Sequence, residues 1–221
     1  RSLINDLQNY EGIVGVDCET SGFDASVNYV VGISIFTCQG YYIPVDHIND
    51  PENNIEDLYL MNILRVLFTK ILVGHNIKFD LKFLTRLYCI SKDIDMITIH
   101  DSIIAAHLLN EFDDMQLELL AYKYLKDERN TAMLYLSQLT AFLKKKFNSK
   151  SKNNLYKLTV EETYQYAIQD AKLTKKLIDF YLPFLEKHEL LDTYYLYIDF
   201  LKCIFRCELN KIDIDTEKLY L

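Results

Sequence analysis

The chain has 221 residues, of which 50% are hydrophobic, and this is enough for one sizeable domain with a core of its own. Its net charge of −8 excludes a stand-alone protein that grips long nucleic acids by charge alone. No apolar run reaches the length of a membrane-spanning helix and the first ten residues lack a secretory signal core, so no membrane partner is predicted.

Strand-like apolar runs dominate the first part of the chain. They predict strands at 12–17, 29–37 and 41–45, with a hairpin turn at Gln39 and Gly40 and an antiparallel meander overall. Further along, the spacing of apolar residues predicts a helix over 55–69, a strand at 71–73, a helix over 77–88, a strand at 95–99 and a helix over 101–109. Asp101 or Ser102 is expected to cap the last of these helices.

From Met115 onward the apolar pattern is almost wholly helical. Helices are predicted over 115–125, 132–147, 160–186 and 192–209. Strands mixed with helices and then mainly helices predict an α/β fold with a mostly helical C-terminal half. The basic stretch 144–152 is interpreted as a solvated helix end and loop, with a contact to a nucleic-acid backbone as the alternative.

The cysteines and histidines indicate no metal site. The five cysteines are odd in number and form no CxxC pair, so we expect reduced, buried thiols in a reducing intracellular compartment. The histidines at 47, 100, 107 and 188 show no metal-ligand spacing and are expected to be structural.

An acidic pair ends the first predicted strand. Residues i and i+2 of a strand point to the same side, so Asp17 and Glu19 should present two carboxylates together. Two like charges so close are tolerable when they are exposed, protonated or bound to cations, and hard oxygen ligands suit Mg²⁺ or Mn²⁺. Taken alone, a simple surface acid pair explains this motif equally well.

Two further pairs have helical spacing. Asn76 and Asp80 are expected one turn apart on the helix that follows a buried strand, and Tyr166 and Asp170 one turn apart on a later helix. Each pair has a plain structural interpretation, with Asn76 as an N-cap, Asp80 as a solvated acid, and Tyr166 with Asp170 as a hydrogen-bonded core pair.

Together the three segments resemble the DEDD-type 3′→5′ exonucleases of the tyrosine subgroup. The shared pattern is DxE, then Nx3D at the start of a helix, then Yx3D in a later helix. The resemblance implies a ribonuclease H-like fold, with a mixed central sheet flanked by helices. It also implies two Mg²⁺ or Mn²⁺ ions held by four acids, which are Asp17, Glu19, Asp80 and Asp170. The implied catalytic residues are these four acids and Tyr166.

Longer segments resemble the family A (Klenow-type) DNA polymerases. These are DCETSGFD at 17–24, GHNIKFDLKFL at 74–84, MQLELLAYKYL at 115–125 and the stretch 198–219. The last resembles the helix, turn and short strand that lead from exonuclease into polymerase. The resemblance implies an exonuclease domain at 1–190, a connection at 191–221 to an absent, covalently linked polymerase domain, and a chain that is a fragment. The composition suggests a plastid-type (apicoplast) replicative enzyme and hence an organelle, plastid or mitochondrion.

The resemblance also implies how a substrate is held and cut. The substrate is the 3′ end of single-stranded DNA, hydrolysed for proofreading to nucleoside 5′-monophosphates, with Tyr166 orienting the attacking water. The implied substrate contacts are Thr20, Phe23, Asn76 and Phe79, of which Phe23 could instead be a plain exposed loop aromatic. The alternatives are a stand-alone exonuclease that trims RNA 3′ ends and a catalytically silent nucleic-acid-binding module.

The acidic charge generates a first prediction. Without divalent metal, the protein should bind short single-stranded DNA only weakly at physiological salt, because its net charge of −8 repels phosphate. Fluorescence anisotropy with a labelled oligonucleotide in EDTA measures this, and tight binding there would contradict it.

Overall fold

The centre of the protein is a five-stranded mixed sheet, and the computed structural model describes residues 2–88, 94–148 and 152–210. The strands lie in the order β3-β2-β1-β4-β5. Strand β1 runs antiparallel to β2 and β2 antiparallel to β3, whereas β4 runs parallel to β1 and β5 parallel to β4. The predicted meander and hairpin are confirmed, but the turn lies at 37–39 and Gly40 already belongs to β3, where it pairs with Phe36. The strands are β1 (Val14–Thr20), β2 (Val30–Phe36), β3 (Gly40–Pro44), β4 (Leu72–Gly74) and β5 (Ile99–Asp101).

Eight helices accompany the sheet in the described parts of the chain. They are α1 (Ser2–Asn9), α2 (Asp57–Leu67), α3 (Ile77–Tyr88), α4 (Ser102–Leu109), α5 (Leu117–Tyr124), α6 (Arg129–Phe147), α7 (Val160–Lys187) and α8 (Leu191–Asn210). Short 3₁₀ helices span Pro51–Asn53, Ile94–Met96 and Lys152–Lys157. The α/β class and the helical C-terminal half are thereby confirmed, with helix ends shifted by a few residues from the predicted bounds.

The strand predicted at 95–99 is wrong in position. Ile94–Met96 forms a 3₁₀ turn and the strand begins only at Ile99, where pairing with Leu72 of β4 starts. Because β4 has only three residues, earlier residues find no extended partner there and close a turn instead, with Ile97 N–H donating to the Ile94 carbonyl at 3.2 Å. The turn still buries Ile94 and Ile97, which explains the apolar signal.

The long helix α7 lies across β1, β2 and β3. A capping box fixes its start, in which Thr159 and Glu162 each accept a hydrogen bond from the other's backbone N–H. Glycines let the helix approach the sheet closely. A Cβ at Gly15 would collide with the Ala171 carbonyl oxygen of α7, and one at Gly40 would collide with the Ile168 side chain.

Apolar side chains form one large core and one small cluster. The large core joins the sheet to α1–α8, with α6 contributing only Ala132. The small cluster lies between α6, the segment that leads into α7, and α7 itself. Its buried members are Leu139, Leu143, Leu155, Leu158 and Tyr166. The ring of Tyr166 therefore packs in a small core separate from the one beneath the sheet.

Some expectations fall on residues outside the described ranges. These include Cys89, the 149–151 part of the basic stretch, and the turn and short strand expected beyond Asn210. Within the described part of the basic stretch, Lys146 pairs with Glu162 of α7. No described helix is both long enough and apolar enough to cross a membrane.

The close approach of α7 generates a stability prediction. Gly15→Ala should lower the free energy of unfolding by about 1–3 kcal/mol, the usual cost of overpacking, because the obstacle is a backbone carbonyl that cannot rotate away. Urea unfolding followed by circular dichroism measures this.

Gly12→Ala is the matched control, since its new Cβ would meet only the hydroxyl end of the Tyr10 side chain, which can move. Equal effects of the two changes would show that α7 does not depend on the missing side chain at Gly15.

Candidate functional site

Strand β1 carries the first two acids. Asp17 lies opposite Ser34 and Glu19 opposite Gly32 in the antiparallel pairing with β2, so both carboxylates project from one face as predicted. Glu19 is buried and Asp17 half-buried. The register shifts between Glu19 and Thr20, an irregularity of the kind that re-aims the residues after it.

Asp80 reaches β1 from the first turn of α3. Its Oδ1 accepts a hydrogen bond from the Cys18 backbone N–H at 2.9 Å, and only 3% of the residue is exposed. Burial raises the pKa of Asp80 well above its usual value, and the nearby charge of Asp17 raises it further. The interpretation of Asp80 as a solvated acid is therefore wrong, and the two carboxylates lie in one electrostatic environment.

Helix α7 supplies Tyr166 and Asp170, one turn apart and both buried. The Tyr166 hydroxyl donates a hydrogen bond to Asp170. Burial is the main cause that raises the pKa of Tyr166, followed by the charges of Asp170, Glu19 and Glu118. The phenol therefore stays protonated at neutral pH and acts as a hydrogen-bond donor.

The position of Asn76 corrects the sequence interpretation. Helix α3 begins at Ile77, and Asn76 lies before it with φ 72°, in the left-handed region, so it does not share a helix face with Asp80. Asn76 is exposed and lines a cleft together with Asp17 and Asp170. The structure thus keeps Asn76 beside the acids through a turn rather than a helix.

Asp101 caps two helices at once. Its Oδ1 accepts from Ile103 N–H at 2.8 Å, which is the predicted cap of α4. Its Oδ2 accepts from Ile77 N–H at 2.8 Å, at the start of α3. This second role went unpredicted because Asp101 and Ile77 are 24 residues apart in sequence. Asp101 therefore sets where α3 begins and hence where Asp80 points.

Aromatic side chains border the acids. Phe23 is 77% exposed, and its ring meets the Phe79 ring edge-on at a centroid distance of 6.4 Å. Phe79 in turn packs against Phe83 at 5.1 Å. Thr20 donates a hydrogen bond to the Gly22 carbonyl at 2.8 Å, which holds the loop that carries Phe23. A pair of contacting rings, one of them largely exposed, therefore lies beside the carboxylates.

Two clefts share Asp17 and Asp170. A cleft of about 180 Å³ contains Glu19, Thr20, Phe23, Phe79 and Tyr166 as well, and one of about 480 Å³ contains Asn76. Asp80 is absent from both linings because it lies buried behind Cys18. The clefts therefore bring together eight of the nine residues predicted for the site, and Asp80 adjoins them from behind.

Leu155 and Glu118 are among the cleft residues that the sequence analysis did not predict for the site. Leu155, from the 3₁₀ segment before α7, lines the smaller cleft, and Glu118 of α5 lines the larger one. Glu118 is a further buried acid whose charge reaches Tyr166. Nothing in the local sequence marks Leu155, whereas Glu118 lies within a segment that the family resemblance already singled out.

The donor set fits divalent cations, although no finished cage is formed. In the part of the chain that the structure describes, no three His, Cys, Asp or Glu side chains form a ready-made metal site. However, Asp17, Glu19, Asp80 and Asp170 supply only hard carboxylate oxygens, in surroundings where their charges repel. Such a set binds Mg²⁺ or Mn²⁺ better than soft metals, and these four residues could hold such ions.

The sequence of the chain matches an exonuclease family model and two DNA polymerases. A family model described as 3′-5′ exonuclease matches residues 1–185. The chain is 27% identical over 212 residues to DNA polymerase I of Borreliella burgdorferi, covering 93% of this chain and 21% of that protein. It is 28% identical over 218 residues to a DNA polymerase of Escherichia phage T5, covering 94% and 24%. The chain thus spans about a fifth to a quarter of these relatives.

Solved structures share the fold. Brucella melitensis NrnC matches with a TM-score of 0.64 at 16% identity, over 96% of this chain and 92% of that one. NrnC with bound Mg²⁺ and NrnC bound to pGG match over the same shares, with TM-scores of 0.59 and 0.58 at 14% and 16% identity. The catalytic core of RRP6 from Trypanosoma brucei matches with a TM-score of 0.60 at 17% identity, over 90% and 48%. These likenesses establish a ribonuclease H-like fold.

The buried acid generates a prediction for the metal-free protein. Asp80→Asn should raise the free energy of unfolding in EDTA, because it removes a buried carboxylate whose charge Asp17 repels. The amide oxygen still accepts from Cys18 N–H. Thermal unfolding in EDTA and in Mg²⁺ measures this, and Mg²⁺ should stabilise the wild type more than the variant.

Asp199→Asn on the exposed face of α8 is the control and should change neither value. Lower stability of Asp80→Asn in EDTA would show that the carboxylate is not under electrostatic strain.

Proposed function

This chain belongs to the 3′–5′ exonuclease family, and from that premise we propose that it hydrolyses the terminal phosphodiester of single-stranded DNA and releases nucleoside 5′-monophosphates. The observation that carries the proposal is the convergence of acids from β1, α3 and α7 with a protonated tyrosine in one region. These residues come from three segments up to 153 positions apart, from Asp17 to Asp170.

Two divalent ions complete the proposed site. Asp17, Glu19 and Asp170 would hold one ion, and Asp17 with Asp80 would hold the other, as the family resemblance implies. When bound, such ions activate a water and neutralise charge on the leaving 3′ oxygen. The repulsion that raises the pKa of Asp80 supports the proposal, because cations between these carboxylates would relieve it. The Mg²⁺-bound NrnC structure is consistent with this.

Tyr166 is proposed to orient the attacking water. Its raised pKa makes it a poor general base, since a base must give up its proton near the working pH. Its hydroxyl instead donates to Asp170, and a hydroxyl oxygen that donates its hydrogen can also accept one from a water. The small apolar cluster around the ring holds the hydroxyl in place.

The aromatic side of the cleft is proposed to hold the last bases of the strand. The exposed face of Phe23 can stack on a base, which contributes about 1–3 kcal/mol without reading sequence. Phe79 packs against Phe23, and Thr20 and Asn76 line the clefts, where they would contact the DNA backbone. Contacts of this kind suit proofreading, which must remove any base, and favour unpaired ends.

We further propose that the exonuclease unit is residues 1–190 and that 191–221 connect it to a polymerase domain. Both sequence relatives are DNA polymerases several times longer than this chain, and this supports the proposal. Helix α8 begins at Leu191, after a short link in which Glu189 has φ 58°. Within the parent protein, the single-stranded 3′ end would come from the polymerase site.

A cleavage assay tests the proposal. End-labelled single-stranded DNA with Mg²⁺ should shorten stepwise from its 3′ end, and EDTA or the double change Asp17→Asn with Glu19→Gln should abolish the ladder, because both remove the metal. Asp199→Asn serves as the matched control and should cleave like the wild type. Denaturing gel electrophoresis over a time course measures the products.

Two other outcomes of this assay would favour a different function. Faster shortening of an RNA strand of the same sequence would favour RNA 3′-end trimming. Binding without cleavage by the folded protein, in Mg²⁺ and Mn²⁺ alike, would favour a catalytically silent binding module.

A further inference from the structure

The loop between β3 and α2 holds the start of α7. His47 Nδ1 lies 2.9 Å from the Leu158 carbonyl oxygen, and Asn49 Nδ2 donates to the Lys157 carbonyl at 2.8 Å. Asp50 Oδ2 accepts from Val160 N–H, in the first turn of α7, at 3.0 Å. These bonds span 108 to 111 residues of sequence and join the loop to the entry of the helix that carries Tyr166.

His47 is held at both ring nitrogens. A carbonyl only accepts, so Nδ1 must carry the hydrogen and donate to Leu158. In the neutral ring Nε2 then accepts, and its partner at 2.8 Å is the Tyr42 hydroxyl, which donates. The side chain is fully buried, so no water competes for either bond. One ring thus bridges strand β3 and the segment that leads into α7.

Tyr42 continues this bridge to the acids. It lies opposite Ser34, which lies opposite Asp17, so Tyr42 and Asp17 project from the same face of the sheet. A Cβ at Gly32, the partner of Glu19, would collide with the Tyr42 hydroxyl. Burial raises the pKa of Tyr42, and the charges of Glu19 and Asp17 raise it further, in keeping with this proximity.

The other end of the bridge reaches Tyr166. Leu158, whose carbonyl accepts from His47, belongs to the small buried cluster that also contains Leu155 and Tyr166. Leu155 lines the cleft beside Glu19. A shift of this segment therefore moves one wall of the cleft, and with it the ring whose hydroxyl faces Asp170.

We propose that His47 is a positioning residue, which sets the place of Tyr166 relative to Glu19 by joining Tyr42 to the Leu158 carbonyl at the entry to α7. This inference rests on the proposed exonuclease function, in which Tyr166 orients the attacking water and Glu19 helps to hold the ion that activates it. His47 touches neither substrate nor the reacting atoms. Its loss should therefore lower kcat more than it raises KM for DNA, because Tyr166 orients the attacking water whereas Leu155 forms only one wall of the cleft that also contains Phe23.

Substitutions of graded effect test the proposal. His47→Leu removes both bonds and should lower kcat about tenfold or more, since small misplacements in active sites cost up to about 10²-fold. His47→Asn keeps a donor near Nδ1 and should recover part of that loss. Tyr42→Phe should lower kcat as much as His47→Asn does. The two changes combined should lower kcat no further than either alone, because both remove the same hydrogen bond between Tyr42 and His47. Glu52→Gln, an exposed change in the same loop, should cleave like the wild type.

A metal-free readout separates this proposal from the function on which it rests. In EDTA, His47→Leu should speed hydrogen exchange of the Val160 and Glu162 amides about tenfold relative to Glu52→Gln, and leave Leu177 in the middle of α7 unchanged. Equal acceleration at Leu177, or unchanged kcat in His47→Leu, would overturn the positioning role. Absence of cleavage by the wild type would instead overturn the exonuclease function, and the exchange rates would still decide whether His47 holds the entry of α7.

Discussion

The site depends on the contact between the backbone of α7 and strand β1 at Gly15. The Ala171 carbonyl rests where a side chain on Gly15 would stand, so the helix lies closer to the sheet than any other residue would permit. Asp170 directly precedes Ala171, and Asp17 lies two residues beyond Gly15, on the same face of β1. The approach therefore brings the acids of helix and strand together, and the clefts beside Asp17 and Asp170 follow from it.

This proximity costs stability in the metal-free protein. Carboxylates in partly dry surroundings repel one another, and the raised pKa of Asp80 reflects both burial and the charge of Asp17. Local hydrogen bonds offset part of this, from Cys18 N–H to Asp80 and from the Tyr166 hydroxyl to Asp170. The remainder is a strain that cations would relieve. The proposed site thus places repelling carboxylates together, which opposes the stability of the metal-free fold.

Local chemistry made much of this predictable. Strand alternation placed Asp17 and Glu19 on one face, helical spacing placed Tyr166 and Asp170 one turn apart, and Asp101 was recognisable as a cap. The errors arose where partners were distant. Asn76 takes a left-handed turn before α3, and the strand expected at 95–99 begins only where the short β4 can pair with it. The residue types in each segment predict neither the left-handed turn at Asn76 nor the pairing of β5 with β4.

By itself, the sequence determined the α/β class and most helices, because periodicity is a local property of a chain, and its resemblance to an exonuclease family implied the set of acids with Tyr166. Only the tertiary structure decided that Asp80 is buried behind Cys18, that Glu118 and Leu155 join the clefts, and that the loop around His47 reaches the entry of α7. Asp80 and Cys18 are 62 positions apart in sequence, and His47 and Leu158 are 111 apart. Such pairings follow from how helices and strands pack, which no single segment encodes.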